Sequence, residues 1–162
     1  MKLKVLLIVI LLTCFKSFGQ DNSYGGVYAY GTSPDVGATG MIYVYPKSDT
    51  ELLFYLELSR GAPSYNNGAI VGAMIMYDTG EADFTYINDL EGINCSMNFW
   101  FSNDKLVIRT NDGADNCGYG YGVFSNGDFK KIQNTTPEYF LDRDGRKIMF
   151  EGLNWKKWWL WD

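Results

Sequence analysis

The chain has 162 residues, of which 14 are basic and 19 acidic, and it contains no histidine. The missing histidine excludes Ser-His and Cys-His nucleophile pairs and histidine-ligated zinc sites. A formal net charge of −5 argues against nucleic acid as a partner, because phosphate binding needs a basic surface.

The first twenty residues are typical of a cleavable signal peptide. Lys2 and Lys4 form a positive N-terminal region, and the run from Val5 to Leu12 is apolar throughout. Such a run is about 12 Å long as a helix, whereas a membrane span needs about twenty apolar residues. We therefore predict a signal peptide over residues 1–20, export to the periplasm or the extracellular space, and no transmembrane segment after cleavage. The alternative is a lipoprotein anchored through Cys14, which ends a lipobox-like sequence.

Cleavage would leave residues 21–162 as a single domain. The leader carries three of the 14 basic residues and none of the 19 acidic ones, so the formal charge of the remainder is −8. This charge favours solubility and attracts cationic partners. About 142 residues are enough for one domain with a real core.

Residues 41–58 predict the first β-hairpin. β-rich runs over Met41–Tyr45 and Glu51–Leu58 flank a turn cluster at residues 46–50. In the second run, alternate positions from Leu52 to Leu58 are Leu or Phe. This period of two is typical of a half-buried strand, and we expect the leucine face to point into the core.

More β-structure is expected along the rest of the chain. Three further hairpins are predicted, namely Ala69–Tyr77 with Ala82–Ile87, Cys95–Phe101 with Lys105–Thr110, and Tyr139–Leu141 with Lys147–Phe150. Gly118–Phe124 is expected to be a strand that ends in a turn at Ser125–Asp128. The tail over residues 155–161 fits either a terminal strand or a short helical turn.

Cys95 and Cys117 are the two cysteines that remain when Cys14 leaves with the leader. A cysteine pair in an oxidising compartment predicts a disulfide. The alternative is a metal site, which would need further ligands that a chain without histidine does not supply. Cys95 shares the period of Met97, Phe99 and Phe101, so we expect it to point toward the core or its rim.

These elements predict an all-β fold. About nine short strands follow one another at spacings of about ten residues, without sustained helical periodicity. Because short turns join successive strands, we favour a single antiparallel meander that closes into a small lipocalin- or calycin-like barrel. A β-sandwich is the alternative.

No catalytic or metal-binding pattern stands out. The acidic loops at 111–116 and 142–145 resemble calcium ligands, but neither completes a calcium loop with a closing Glu. Asp, Asn and Gly are also the ordinary residues of turns. No pair of carboxylates has a spacing that indicates glycoside chemistry. We therefore expect no enzymatic activity, metal or cofactor.

Candidate binding residues lie in the tail and in the longest apparent loop. The tail holds four tryptophans in seven residues, Trp155, Trp158, Trp159 and Trp161. They are too dense for all of them to be buried, and exposed tryptophans are frequent anchors of binding surfaces. Core and rim packing is the competing interpretation. Asn66 and Asn67 lie in the loop from Arg60 to Gly68, a plausible contact site.

Three segments around the cysteines share a pattern with known proteins, namely Cys95–Phe101, Asp115–Val123 and Gly127–Phe129. Residues 95–129 resemble small secreted bacterial β-proteins, some of which are lysozyme-inhibitor-like. The resemblance implies a disulfide-braced β-module, and no functional residue is transferred from it.

Charge and aromatic content together suggest a binding protein. We predict a non-catalytic secreted or periplasmic protein that engages another, cationic protein, as an inhibitor or immunity factor does. The alternative is a lipocalin-like barrel that holds a small apolar ligand.

Overall fold

The computed structural model describes residues 24–77 and 80–160, except for the side chains of residues 158–160. The predicted signal peptide, Cys14 and Trp161 lie outside the described residues. The described strands are β1 (Gly26–Tyr30), β2 (Thr39–Pro46), β3 (Glu51–Ser59), β4 (Asn67–Met76), β5 (Glu81–Asn88), β6 (Ile93–Ser102), β7 (Lys105–Asn116), β8 (Gly127–Gln133), β9 (Tyr139–Leu141) and β10 (Lys147–Met149). A C-terminal 3-10 helix follows over Trp155–Leu160.

Strands β1 to β8 form a closed antiparallel barrel in chain order, and β9 and β10 pair as a separate hairpin. The predicted all-β meander barrel is therefore confirmed. The register of the first predicted hairpin places Val44 of β2 opposite Phe54 of β3. A meander closes in this way because each short turn brings the next strand to the edge of the previous one.

Side chains from all eight strands fill the barrel interior. The predicted inner face of β3 points inward, and Phe54 is fully buried. Its ring centroid lies 5.2 Å from that of Phe84 and 5.4 Å from that of Phe99. Gly72 faces these rings, and a Cβ atom at this position would come within 2.5 Å of the Phe84 ring. The described interior is thus packed by aromatic side chains.

A second apolar cluster covers the outer face of the barrel. Leu53 and Tyr55 of β3 are buried there against Phe140 and Phe150 of the β9–β10 segment. β3 was predicted to be half-buried, yet its outer face is buried as well. The reason is that a distant hairpin packs on that face, which the period-two pattern of one strand does not record.

The barrel has a seam between β4 and β5. These strands pair at two positions, Ile75 with Asp83 and Met76 with Ala82. Beyond that point Trp155 of the 3-10 helix reaches the inner residues of β5, with ring centroids 5.8 Å from Phe84 and 6.4 Å from Tyr86. The tail is therefore a helical turn, and Trp155 packs against both apolar clusters.

The predicted strand at Gly118–Phe124 is wrong. Residues 117–126 form a loop, and β8 begins at Gly127, where a turn was expected. Gly118 and Gly122 adopt positive φ values of 71° and 74°. A strand cannot continue through such residues, so the Gly-Tyr alternation marks a loop rather than a ladder.

Candidate functional site

The two ends of the barrel differ in the length of their connections. At one end, short connections join β2 to β3, β4 to β5 and β6 to β7. At the other end are the longer connections 31–38, 60–66 and 117–126, together with the turn 89–92. We call these four connections, with the adjoining β7 residues 111–116, the loop end. Binding residues concentrate on loops that a rigid scaffold positions, so the loop end is the candidate functional site.

Hydrogen bonds hold three of these connections to one another. The Tyr65 hydroxyl donates to Oδ1 of Asp35 over 2.9 Å. The backbone N–H of Ala62 donates to the carbonyl of Pro34 over 2.7 Å. Nδ2 of Asn66 donates to the carbonyl of Tyr121 over 2.7 Å. Loop 60–66 therefore fixes the positions of both of its neighbours.

The predicted Cys95–Cys117 disulfide is confirmed, with 22 residues of separation. It joins β6 to the start of loop 117–126 rather than to a strand. Both cysteines are buried, and Cys95 faces the core as expected. The crosslink therefore holds the start of loop 117–126 against β6.

A bulge in β7 completes the loop end. The pairing with β6 jumps from Cys95–Asp115 to Met97–Thr110, so residues 111–114 stand out of the ladder. Nδ2 of Asn94 donates to the carbonyl of Gly113 over 3.0 Å. Bulges of this kind re-aim side chains at functional edges of a sheet.

Asn111 anchors the bulge and Asn116 ties it to the turn 89–92. Nδ2 of Asn111 donates to the Ser96 hydroxyl over 2.7 Å, and its Oδ1 accepts from Asn98 over 2.7 Å. Nδ2 of Asn116 donates to the carbonyl of Gly92 over 2.6 Å. One oxygen of the calcium-like loop 111–116 is thus bonded within the protein.

The second calcium-like loop is closed by an arginine. Asp142 accepts hydrogen bonds from the backbone and the side chain of Arg146, at 2.8 Å and 2.7 Å. Burial of the Asp142 carboxyl acts to raise its pKa, whereas the hydrogen bonds and the charge of Arg146 lower it. The net result is a pKa of Asp142 below its usual value. Within residues 24–77 and 80–160, no group of three or more His, Cys, Asp or Glu side chains is placed to hold a metal ion.

The loop end combines exposed apolar side chains with acidic ones. Leu90 is 99% exposed and Tyr121 is 85% exposed, and Val36, Tyr65 and Phe124 are exposed as well. The carboxylates of the loop end belong to Asp35, Asp89, Glu91, Asp112 and Asp115, whereas Arg60 is its single basic residue. The Arg60 guanidinium carbon lies 5.7 Å from the ring centroid of Tyr121. The surface is therefore amphipathic and carries a net negative charge.

A groove of about 610 Å³ lies beside the loop end, on the outer side of β1 to β3. Its lining includes Met41 and Glu57 on the strands, Tyr65 and Asn67 near the loops, and Arg143 from the turn between β9 and β10. This volume is within the range of about 300 to 1,000 Å³ that is usual for small-molecule sites.

The Tyr55 hydroxyl lies among the charges that flank this groove. It is buried and has no hydrogen-bond partner among the described residues. Burial raises the pKa of Tyr55 far above its usual value, the charge of Glu57 raises it further, and Arg143 opposes both. Two opposite charges of the groove therefore act on one buried hydroxyl.

The predicted site residues fall in different places. Asn67 lines the groove, and Asn66 holds Tyr121 in position. Trp155 is half-buried in the seam, where it serves packing. The side chains of Trp158 and Trp159, and all of Trp161, lie outside the described residues.

Sequence reasoning missed Leu90 and, apart from Asn67, the residues of the groove. A readable signal existed for Leu90, because it is a large apolar residue inside the polar turn Asn88-Asp89-Leu90-Glu91-Gly92. No local pattern marks the groove, since Glu57 and Arg143 are far apart in the chain and line the same groove only because the β9–β10 hairpin packs on the barrel.

Comparisons of this chain with protein-family models, with curated proteins and with solved structures find no match. The resemblance to lysozyme-inhibitor-like proteins therefore stays a prediction. Over the described part of the chain, no helix has the length and hydropathy that crossing a bilayer requires.

Proposed function

We propose that the chain is an exported, non-catalytic binding protein whose loop end engages a cationic partner protein, as an inhibitor or immunity factor does. The observation that carries this proposal is the position of Leu90, a 99% exposed apolar side chain between the carboxylates of Asp89 and Glu91. On binding, an exposed apolar side chain can be buried against a partner, while carboxylates beside it attract and orient a partner of opposite charge.

The charge distribution along the chain supports a basic partner. Between Arg60 and Lys105 there is no Lys or Arg, whereas this stretch holds six Asp or Glu residues. Four of the loop-end carboxylates lie on two neighbouring segments, with Asp89 and Glu91 on the turn 89–92 and Asp112 and Asp115 on β7. The hydrogen bond from Asn116 to Gly92 joins these two segments. A patch of one sign steers an oppositely charged protein and raises its association rate.

The rigidity of the loop end also supports this function. The disulfide and the hydrogen bonds of Tyr65, Asn66, Asn94 and Asn116 hold its parts together before any partner arrives. A surface that is already ordered loses less conformational entropy on binding. This is the property expected of an inhibitor-like protein.

The packed interior favours this function over the small-ligand alternative. A lipocalin-like site needs a hollow barrel mouth, whereas inward side chains such as Phe54, Phe99 and Phe129 are fully buried within one apolar cluster. The exposed apolar residues of the loop end offer contact area on the surface instead.

The test measures binding of the mature protein to a lysozyme, chosen as a basic hydrolase, by surface plasmon resonance at several salt concentrations. We expect the pair Asp89→Asn and Glu91→Gln to lower the association rate about tenfold or more at low salt, and to flatten its salt dependence. We expect Leu90→Ala to raise the dissociation rate about tenfold or more.

The matched control is the pair Asp104→Asn and Glu138→Gln, which removes two exposed carboxylates outside the loop end. This pair should leave both rates unchanged. A pull-down from the native periplasm extends the search to other basic hydrolases and co-secreted toxins. The proposal fails if none of these proteins binds, or if the loop-end variants and the control pair behave alike.

A further inference from the structure

The groove beside the loop end has a floor made by cross-strand neighbours. On the outer face of the sheet, Ala29, Met41 and Glu57 lie side by side, because Ala29 pairs with Met41 and Met41 pairs with Glu57. One step toward the loops, Thr39 pairs with Ser59 and Ser59 with Asn67. The floor therefore offers an apolar strip around Met41, and next to it a strip of hydroxyl and amide groups.

Tyr65 forms a preorganised wall of this groove. It is a non-glycine residue with a positive φ of 51°. Such a backbone conformation is unfavourable for a bulky residue and persists where the surroundings impose it. Here the Tyr65 N–H donates to the carbonyl of Gly61, and its hydroxyl donates to Asp35. The ring nevertheless stays 48% exposed, so this strained residue is presented to the groove rather than to the core.

Two opposite charges border the groove. Glu57 lies on the floor and Arg143 at the side, and both are exposed. Neither side chain forms an ion pair with a described residue, whereas Arg146, on the same turn as Arg143, pairs with Asp142 and Asp144. An anion and a cation that stay unpaired across one groove match a ligand that carries both charges.

We propose that this groove binds a short zwitterionic peptide, with its ammonium group at Glu57, its carboxylate at Arg143 and an apolar side chain between Met41 and Tyr65. The peptide's backbone groups would hydrogen-bond to the polar strip of Thr39, Ser59 and Asn67. A guanidinium binds a carboxylate through two parallel hydrogen bonds, which gives the ligand a direction. The groove shares Tyr65 with the loop end, but its lining includes no residue of the turn 89–92 that carries Leu90.

Titration calorimetry and NMR of the folded protein test the proposal with tripeptides Gly-X-Gly, where X is Leu, Phe or Tyr. Each tripeptide is used free, N-acetylated, C-amidated and blocked at both ends. We expect the free form to bind best and each single block to weaken binding about tenfold, since each removes one charge-assisted hydrogen bond. The NMR shifts should map to the groove residues.

Two variants identify which charge meets which terminus. Glu57→Gln should weaken the free peptide about tenfold yet leave the affinity of the N-acetylated peptide unchanged. Arg143→Gln should likewise weaken the free peptide about tenfold yet leave the affinity of the C-amidated peptide unchanged. Arg146→Gln, on the same turn, is the matched control and should not change the order of the four peptides.

Three results would overturn the proposal. The first is that no free tripeptide binds at millimolar concentration. The second is that the doubly blocked peptides bind as tightly as the free ones. The third is that Glu57→Gln and Arg143→Gln weaken all four forms equally, which would indicate a change of shape rather than the loss of a charge contact.

Discussion

The rings of Tyr55 and Phe140 stack with centroids 4.2 Å apart and planes inclined by 15°. Tyr55 belongs to the outer face of β3, and Phe140 belongs to the β9–β10 hairpin some 85 positions later in the chain. The contact shows that the C-terminal hairpin is part of the folded core rather than an appendage.

Phe140→Ala should lower the free energy of unfolding by about 3 to 5 kcal/mol, because it leaves a cavity where a buried ring stood. Phe140 is 1% exposed. Urea unfolding measures the effect. The neighbouring Leu141 is 52% exposed, and Leu141→Ala should stay within about 0.5 kcal/mol of the parent. Equal effects of the two variants would contradict the second apolar cluster.

Gly72→Ala should lower the free energy of unfolding by about 1 to 3 kcal/mol, because the added methyl group overpacks the core. A Cβ atom at Gly72 would come within 2.5 Å of the Phe84 ring and within 2.6 Å of the Phe54 ring. Thermal unfolding checks this. Gly37→Ala is the control, since a Cβ atom there meets nothing within 4 Å. A tolerated Gly72→Ala would mean that the interior has spare room.

Replacing Cys95 and Cys117 together by Ala should lower the free energy of unfolding by about 3 kcal/mol, because the unfolded chain loses its crosslink. Urea unfolding in the absence of reductant compares the variant with its parent. Adding a reductant should bring the parent to the level of the variant and leave the variant unaffected. If the reductant changed both proteins alike, the loss could not be assigned to the disulfide.

Asp128 should make stability depend on pH. It accepts a hydrogen bond from Arg109 over 2.7 Å and forms an ion pair with Lys105 at 2.8 Å. The bonds from Lys105 and Arg109 hold the pKa of Asp128 below its usual value. A carboxylate with a lowered folded pKa stabilises the protein above its unfolded pKa, which is about 3.9, and this stabilisation disappears as the pH falls through the folded pKa.

Asp128→Asn should therefore reduce stability at pH 7 and make the loss of stability between about pH 4 and pH 2 less steep. Unfolding measured across this pH range gives both quantities. Asp104→Asn, an exposed site without an ion pair to a described residue, should leave the slope unchanged. A parallel pH profile of Asp128→Asn and the parent would refute the assignment.

Trp155→Ala should lower the free energy of unfolding by roughly 2 kcal/mol, because the half-buried ring closes the seam between β4 and β5. Lys157→Ala, on the same 3-10 helix and exposed, should have little effect. At a temperature where both variants are folded, binding of the cationic partner should equal that of the parent. A loss of binding without a loss of stability would restore Trp155 to the binding surface.

Sequence patterns predicted the barrel well where contacts are local. The β2–β3 hairpin and the inward face that includes Phe54 follow from alternation and a polar turn, and the structure has both. The loop at Gly118 and Gly122 was predicted as a strand because strand-forming tyrosines alternate there with glycines. The positive φ angles of those two glycines decide the conformation instead.

The candidate site was harder to predict for a different reason. Asn66 and Asn67 were recognised because they lie in a long loop, which is a local property. Glu57 and Arg143 border one groove because the β9–β10 hairpin packs across three strands of the barrel. Nothing in the sequence around either residue predicts that packing. For Trp155 the sequence left both a binding surface and core or rim packing open, because the seam that receives its ring is a feature of the whole barrel.

The covering of the outer face of β3 has a consequence for the order in which the molecule is made. Ribosomes synthesise the chain from its N-terminus, so Leu53, Tyr55 and Val71 exist long before Phe140 and Phe150 arrive to cover them. During that interval a nascent barrel exposes an apolar face on one side. A truncated chain that ends after β8 would keep that face permanently, and we expect it to aggregate or to be held by a chaperone although all eight barrel strands are present.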